Sequence, residues 1–247
     1  IQCHSAETNG IFAVIFIWNL SFDLLRKKDL SGRLDSDLGF LIDPKEFTLK
    51  DFFLTVKLSS SDIYNSYKVQ KKNTKDIFFR ARVYSFEIRF FMRDQIVDFC
   101  REMNIMLQLN HPSILKITGI SFEDFNEIPK PVVIFQNHYS TLAEMIESKY
   151  TSWDETKILI NIYGIAAGMS YLHQHNIVHR DLKTENIYLD ESNYPRISGF
   201  HLSKEIKRDE DKVSQHLKGT PAYISPETYT KHIYDEKSDV YSYSFIV

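Results

Sequence analysis

The sequence has few cysteines, no excess of positive charge and no apolar run long enough to cross a membrane. Only Cys3 and Cys100 are present among 247 residues, so neither a disulfide framework nor a cysteine-rich zinc site is expected. The net charge of -3 at pH 7 gives no general basic field for nucleic acid or acidic lipid. The apolar run Ile11–Trp18 is far shorter than the roughly 20 residues of a spanning helix. We therefore expect a cytoplasmic protein with no nucleic-acid partner and no clear membrane span.

The composition predicts a folded chain that begins with a segment of unknown role. With 43% hydrophobic and 14% aromatic residues, the chain can bury one large core or two modest lobes. Residues 1–44 show no clear pattern beyond the apolar run, and Pro44 in "LIDPKEF" marks a boundary. These features favour a single patterned domain at residues 45–247.

Alternating apolar residues predict a strand-rich first half of this domain. Between Phe52 and Tyr84, three short apolar runs separated by polar turns indicate strands of an antiparallel sheet. Two more strands are expected within 113–122 and 131–137. The segment Arg93–Leu109 is predicted to be a helix with three side chains stacked on one face: Phe99, Glu102 and Met106.

Helical periodicity dominates the second half. A short helix is predicted at 140–148, and a long one is predicted to open with a capping box formed by Ser152 and Glu155. The long helix should carry a buried apolar stripe: Ile158, Ile162, Ile165, Met169 and Leu172. A strand-rich half followed by a helix-rich half indicates two lobes with a cleft between them, where ligand sites tend to form.

The most specific motif in the chain is "HRDLKTENI" at 179–187. It lies between the long helix and the short strand "IYLD", so Asp181 and Asn186 fall in a loop that a cleft can use. This motif resembles the catalytic loop of the eukaryotic protein kinases, H-R-D-x-K-x-x-N. The stretch "GTPAYISPE" at 219–227 is similar to the substrate-receiving segment of the tyrosine-kinase-like group of serine/threonine kinases. The stretch "KSDVYSYSFIV" at 237–247 resembles the start of the central helix of the large lobe, with Asp239 as the anchor of the catalytic loop.

The resemblance covers residues 45–247 and implies an α+β, two-lobed protein-kinase-like fold. A small antiparallel β lobe with one key helix and a hinge is expected at 45–137. A helical large lobe, partial and truncated at its C-terminus, is expected at 138–247. The resemblance also implies ATP and Mg²⁺ as cofactors of an active enzyme, and a protein as substrate or partner.

The resemblance assigns roles to the loop residues. Asp181 would orient the substrate hydroxyl and accept its proton, Lys183 would neutralise the moving phosphoryl group, and Asn186 would hold one magnesium ion. Lys183 at this spacing favours a serine/threonine kinase. Arg180 would pair with a phosphorylated residue of the activation segment, residues 199–227, and His179 would be structural. The hydroxyls of that segment are predicted to be ordinary solvated loop groups: Ser203, Ser214, Thr220 and Tyr223.

One departure from the family pattern concerns the metal. The Asp of the kinase Asp-Phe-Gly motif lies thirteen residues after the loop asparagine, and this position is Gly199, followed by Phe200 and His201. The missing carboxylate would carry the ion that bridges the phosphates, so several kcal/mol of transition-state stabilisation would be lost. Asn186 is then the sole metal ligand that the resemblance supplies.

The nucleotide site departs from the pattern as well. The three positions of the glycine-rich phosphate loop are Ser59, Ser61 and Tyr64, and a bulky tyrosine resists a tight turn. In "FRAR" at 79–82, Arg82 replaces the phosphate-binding lysine, and the alternative register places Val83 there. The remaining expected nucleotide-site residues are the helix acid, the gatekeeper and the first hinge residue: Glu102, Phe135 and Gln136.

Three hypotheses follow. The first is a pseudokinase with little or no phosphoryl transfer and weak or no ATP binding, which acts by binding another protein in signalling. The second is a weak or unconventional serine/threonine kinase that uses Asn186 alone for metal and Arg82 as the lysine surrogate. The third is an incomplete remnant, because a kinase large lobe normally continues for several more helices.

Overall fold

A computed structural model describes residues 49–60, 63–74, 77–85, 93–121, 123–148, 153–214 and 216–247. The N-terminal segment 1–44 and Ser61 lie outside these ranges. Contacts divide the chain into two compact units. One unit contains the chain up to Cys100 together with Ile117–Asn137, and the other contains Arg101–Lys116 and His138–Val247.

The first unit is built on an antiparallel sheet with the strand order β1-β2-β3-β5-β4. All five strands predicted from the apolar runs are confirmed. Their bounds are β1 Phe52–Ser60, β2 Tyr64–Lys71, β3 Phe78–Tyr84, β4 Ile117–Ser121 and β5 Val132–Gln136. One face of the sheet buries an apolar cluster drawn from four of these strands: Phe52, Val69, Ala81, Val83, Val132 and Ile134.

Strand β1 lies at one edge of this sheet and is exposed at eight of its nine positions. Four of the exposed side chains are apolar: Phe53, Leu54, Val56 and Leu58. Two irregularities, between Leu54 and Val56 and between Lys57 and Ser59, interrupt its pairing with β2. Bulges of this kind bend a strand and disrupt its ladder.

The predicted helix at 93–109 is confirmed as α1, Arg93–Gln108. The three side chains expected on its inner face are all buried, with relative exposures of 9% for Phe99, 6% for Glu102 and 2% for Met106. The three- and four-residue spacing therefore identified the buried face of this helix correctly.

Within its described residues, the second unit holds the remaining helices and five short strands. The strands are β6 Ser140–Thr141, β7 Ile177–Val178, β8 Ile187–Leu189, β9 Pro195–Ile197 and β10 Lys204–Glu205. The helices are α2 Leu142–Glu147, α3 Glu155–Gln174, α4 Pro226–Lys231 and α5 Glu236–Ser244. Among the described residues, no helix combines the length and apolar character that a membrane crossing requires.

Two details predicted for helix α3 are wrong. Its N-cap is Asp154, whose side chain accepts a hydrogen bond from the Lys157 amide, in place of the predicted Ser152, which lies outside the described residues. Ile158 is 42% exposed. The rest of the predicted stripe is confirmed at Ile165, Met169 and Leu172, which are buried. The packed face also includes Gly168, which lies so close to β9 that an added Cβ would approach Ile197 Cδ1 to 2.7 Å. A count of apolar residues alone cannot detect a face that packs through glycine.

Candidate active site

Asp239 fixes the backbone at the start of the catalytic-loop motif. Its carboxylate is 1% exposed and accepts hydrogen bonds from the amides of His179, at 2.8 Å, and Arg180, at 2.9 Å. The His173 Nε2 atom lies 3.0 Å from the same carboxylate. A residue of helix α5 therefore determines the backbone conformation immediately before Asp181.

His179 is fully buried and neutral. Its Nε2 atom lies 2.9 Å from the carbonyl oxygen of Ser198 and donates to it, while its Nδ1 atom accepts from the Asp181 amide at 3.3 Å. One ring nitrogen is thus a donor and the other an acceptor, which is the pattern of a neutral imidazole. Burial lowers the pKa of His179 below its ordinary value, although the Asp239 carboxylate acts in the opposite direction.

The lowered pKa of His179 makes stability depend on pH. Below the ordinary value of 6.5, the unfolded chain binds a proton at this residue that the folded chain rejects, so the free energy of unfolding should fall as pH drops from 6.5 towards the lowered pKa. Urea unfolding between pH 8 and pH 5 would measure this. A His179→Gln variant should show a shallower pH dependence, and an unchanged dependence would assign the effect to another group.

The three predicted catalytic side chains lie together. Asp181 Oδ1 accepts a hydrogen bond from Thr220 Oγ1 at 2.7 Å, and Asp181 Oδ2 accepts one from Asn186 Nδ2 at 3.0 Å. The Lys183 ammonium lies 3.5 Å from Asp181 Oδ2 and donates to Thr220 Oγ1 at 2.8 Å.

The prediction that Thr220 is an ordinary solvated hydroxyl is therefore wrong, because its hydroxyl group donates to Asp181 and accepts from Lys183. Sequence spacing gave no signal of this bridge, since 39 residues separate Thr220 from Asp181.

Gly199 adopts a conformation that suits glycine, and its neighbour fills the adjacent space. Its backbone has φ 85° and ψ 37°, in the left-handed region. A Cβ built at this position would lie 2.5 Å from Asn186 Cγ and 2.7 Å from Asn186 Oδ1. Asn186 therefore occupies the volume into which any side chain at residue 199 would project.

Phe200 and His179 form the aromatic contact next to the loop. Phe200 is fully buried, with its ring centroid 5.0 Å from that of His179. Met106 of helix α1 is 2% exposed. Asp239 contacts the His179 backbone from the other direction, as described above.

In the first unit, the guanidinium of Arg82 lies close to two aromatic rings. Its Cζ atom is 4.9 Å from the ring centroid of Tyr64 and 4.6 Å from that of Phe135, and the residue is 7% exposed. Ala81 and Val83 belong to the apolar cluster on the opposite face of the sheet. The geometry thus groups Arg82, rather than Val83, with Phe135.

The other predicted nucleotide-site residues differ in their surroundings. Ser59 is exposed near the end of β1 and pairs with Ser66, while Tyr64 opens β2 and pairs with Tyr84. Gln136 is exposed at the end of β5, opposite Phe79. Glu102 is buried in helix α1.

The hinge contains an aromatic contact that sequence reasoning missed. His138, two residues after the first predicted hinge residue, is 8% exposed, and its ring centroid lies 3.9 Å from that of Tyr188. Tyr188 lies in β8, two residues after Asn186. The spacing of these two aromatic residues in the sequence does not indicate the contact.

Comparison with known proteins decides the family. A model of the protein tyrosine and serine/threonine kinase family matches residues 88–247. The chain belongs to this family. The α+β kinase fold predicted from the catalytic-loop motif is therefore confirmed, and members of this family generally use ATP and Mg²⁺ when active.

The curated relatives of this kinase domain include plant receptor-like kinases. Over 162 residues it is 35% identical to cysteine-rich receptor-like protein kinase 10 of Oryza sativa subsp. japonica, covering 63% of this chain and 24% of the relative. It is 32% identical over 162 residues to wall-associated receptor kinase 5 of Arabidopsis thaliana, covering 63% of this chain and 21% of the relative. It is 34% identical over 160 residues to putative wall-associated receptor kinase-like 16 of the same plant, covering 62% of this chain and 36% of the relative. The match thus spans only 21% to 36% of the length of these relatives.

Proposed function

We propose that this kinase domain has lost most or all phosphoryl transfer and acts by binding another protein in a signalling assembly. The observation that carries the proposal is the pair Gly199 and Asn186. Where the family pattern has a metal-binding carboxylate, the chain has a glycine, and the Asn186 side chain lies within 2.5 Å of the place that a Cβ would occupy.

The donor atoms near Asn186 do not suit a magnesium ion. Mg²⁺ demands near-octahedral oxygen coordination and is usually held by one or two carboxylates together with substrate phosphates. Here the Asn186 amide nitrogen is committed to Asp181, and the Asp181 carboxylate is engaged by Thr220 and lies near the Lys183 ammonium. Within the described ranges, no group of three or more His, Cys, Asp or Glu residues could hold a metal ion.

The environment of Arg82 supports the same proposal. A guanidinium within about 6 Å of an aromatic ring centroid is held to that ring by cation–π attraction. Its contacts with Tyr64 and Phe135 give it a role in packing, and a planar guanidinium is not interchangeable with the compact ammonium of lysine at a phosphate. We therefore assign Arg82 to the stability of the first unit rather than to nucleotide binding.

A second candidate function is a weak serine/threonine kinase, and one observation favours it. Asp181, Lys183 and Thr220 form a closed network with contacts of 2.7, 2.8 and 3.5 Å. In this reading Asp181 would accept the proton of a substrate hydroxyl, and Lys183 would neutralise charge on the group being transferred. A protein would be the substrate.

A thermal-shift titration separates these two functions. Ligand that binds only the folded state raises its stability by RT ln(1 + [L]/Kd). We expect millimolar ATP, with or without Mg²⁺, to leave the melting temperature unchanged, because neither the metal nor the phosphates have suitable partners. A clear Mg²⁺-dependent rise would contradict the pseudokinase proposal.

Phosphate transfer from labelled ATP to the protein itself or to a generic protein substrate provides the second measurement. We expect no incorporation above that of an Asp181→Asn variant, which lacks the proposed base. Incorporation by the wild-type chain that the variant abolishes would favour the weak kinase instead.

The domain limits and the setting complete the proposal. We take residues 45–247 as belonging to the kinase-like domain, with 45–137 as small lobe and hinge and 138–247 within the large lobe. We also place the domain in the cytoplasm, as the low cysteine content favours a reducing compartment.

A further inference from the structure

Arg180 is already engaged by its own chain. Its backbone has φ 66°, and its Nε atom donates to the carbonyl oxygen of Leu202 at 2.5 Å. Its Cζ atom lies 5.2 Å from the ring centroid of Tyr234. The guanidinium therefore contacts both Leu202, near the start of the activation segment, and Tyr234, two residues before helix α5.

Tyr234 holds the second half of the activation segment. It is 2% exposed, and its hydroxyl accepts a hydrogen bond from the Lys218 amide at 2.5 Å and donates one to the Lys218 carbonyl oxygen at 2.8 Å. Its own backbone amide donates to the carbonyl oxygen of Lys212 at 2.8 Å. One tyrosine thus binds the segment at two points six residues apart.

Neighbouring backbone contacts extend this attachment. Val213 and Ile233 form an antiparallel bridge, and the Ser214 amide donates to the His232 carbonyl oxygen at 2.9 Å. The segment 212–214 is thereby paired with 232–234. This pairing uses main-chain groups, so it does not depend on a modified side chain.

The end of the segment is fixed against the catalytic loop. Gly219 has φ 106°, and a Cβ there would lie 2.6 Å from the Arg180 carbonyl oxygen. The next residue, Thr220, is the bridge between Asp181 and Lys183. The Arg180 backbone thus meets the segment at Gly219, while its side chain meets Tyr234.

We propose that Tyr234 has the structural role of an activating phosphate: it holds the activation segment in place although no residue of the segment is phosphorylated. A phosphate group orders a loop by offering a nearby arginine a charged, multiply bonded partner. Here the aromatic face of Tyr234 lies beside Arg180, and its hydroxyl makes two bonds to the segment. This inference does not depend on the proposed function, because an ordered segment is compatible with an active or an inactive domain.

Hydrogen–deuterium exchange of the full chain tests this inference. We expect the amides of 212–220 to be equally protected before and after treatment with a broad-specificity protein phosphatase. In Tyr234→Phe, which keeps the ring and loses the hydroxyl, exchange at 216–220 should rise about tenfold or more. In Tyr234→Leu, which also loses the ring, we expect exchange to rise at 202–205 as well.

Two controls keep the test specific. Tyr229→Phe alters a tyrosine of helix α4 that is 64% exposed and should leave exchange unchanged. Amides 165–172 of helix α3 report global opening and should keep their wild-type protection in Tyr234→Phe. Increased exchange at 212–220 after phosphatase treatment, no change in Tyr234→Phe, or an equal increase in helix α3 would each overturn the proposal.

Discussion

An Asp239→Ala variant is expected to lose about 3–5 kcal/mol of its free energy of unfolding, one of the two largest effects anticipated for a single substitution here. The change would leave the amides of His179 and Arg180 without their acceptor inside the protein. It would also remove the partner of the His173 ring. Urea denaturation at neutral pH measures the loss.

Asp235→Ala is the matched control for this prediction. Asp235 lies four residues earlier and caps helix α5 by accepting hydrogen bonds from the amides of Lys237 and Ser238. Removal of an N-cap costs about 1 kcal/mol. Equal losses in the two variants would show that Asp239 contributes only as a general helix residue and does not anchor the catalytic loop.

Substitution of Gly199 is expected to produce the second large effect. Gly199→Ala and Gly199→Asp should each cost about 2–4 kcal/mol, because a left-handed backbone is unfavourable with a Cβ and because Asn186 must give up its place. Gly199→Asp restores the family's carboxylate, yet we expect it to gain no stabilisation from MgATP. The alanine variant supplies the same Cβ without the charge.

A double-mutant cycle isolates the steric part of this effect. Asn186→Ala removes the side chain that fills the space beside Gly199, so Gly199→Ala should cost less in that background than in the wild type. The cost of Gly199→Ala in free energy of unfolding should be about 1 kcal/mol smaller in the Asn186→Ala background, a coupling typical of residues in direct contact. Strict additivity would show that backbone strain alone explains the cost. A Mg²⁺-dependent thermal shift in Gly199→Asp alone would show that the rest of the nucleotide site is intact.

Local patterns predicted much of the fold because the physical signal was itself local. The alternation between Phe52 and Tyr84 reports directly which side chains face a core, and all three strands formed there. The catalytic-loop motif placed Asp181, Lys183 and Asn186 within reach of one another because only five residues separate the first from the last. The prediction for helix α3 failed at its start, where Asp154 is the N-cap and Ile158 is exposed.

Contacts between distant residues escaped prediction. The bridge from Thr220 to Asp181 and the attachment of Lys218 to Tyr234 join hydroxyls to groups that their own sequence neighbourhoods do not specify. The position of Arg82 close to Tyr64 and Phe135 joins three different strands, so it depends on the order of strands in the sheet. Neither periodicity nor motif spacing contains that order.

The bulged outer strand has a consequence for how this protein behaves when concentrated. Among the described strands, β1 is at the edge of the sheet and carries exposed apolar side chains, and an edge of this kind can be a template for strand addition by another molecule. The two irregularities in β1 interrupt the regular spacing of main-chain groups with which an added strand would have to pair. A propagating fibre would have to straighten this strand first, which gives the sheet built-in resistance to polymerisation.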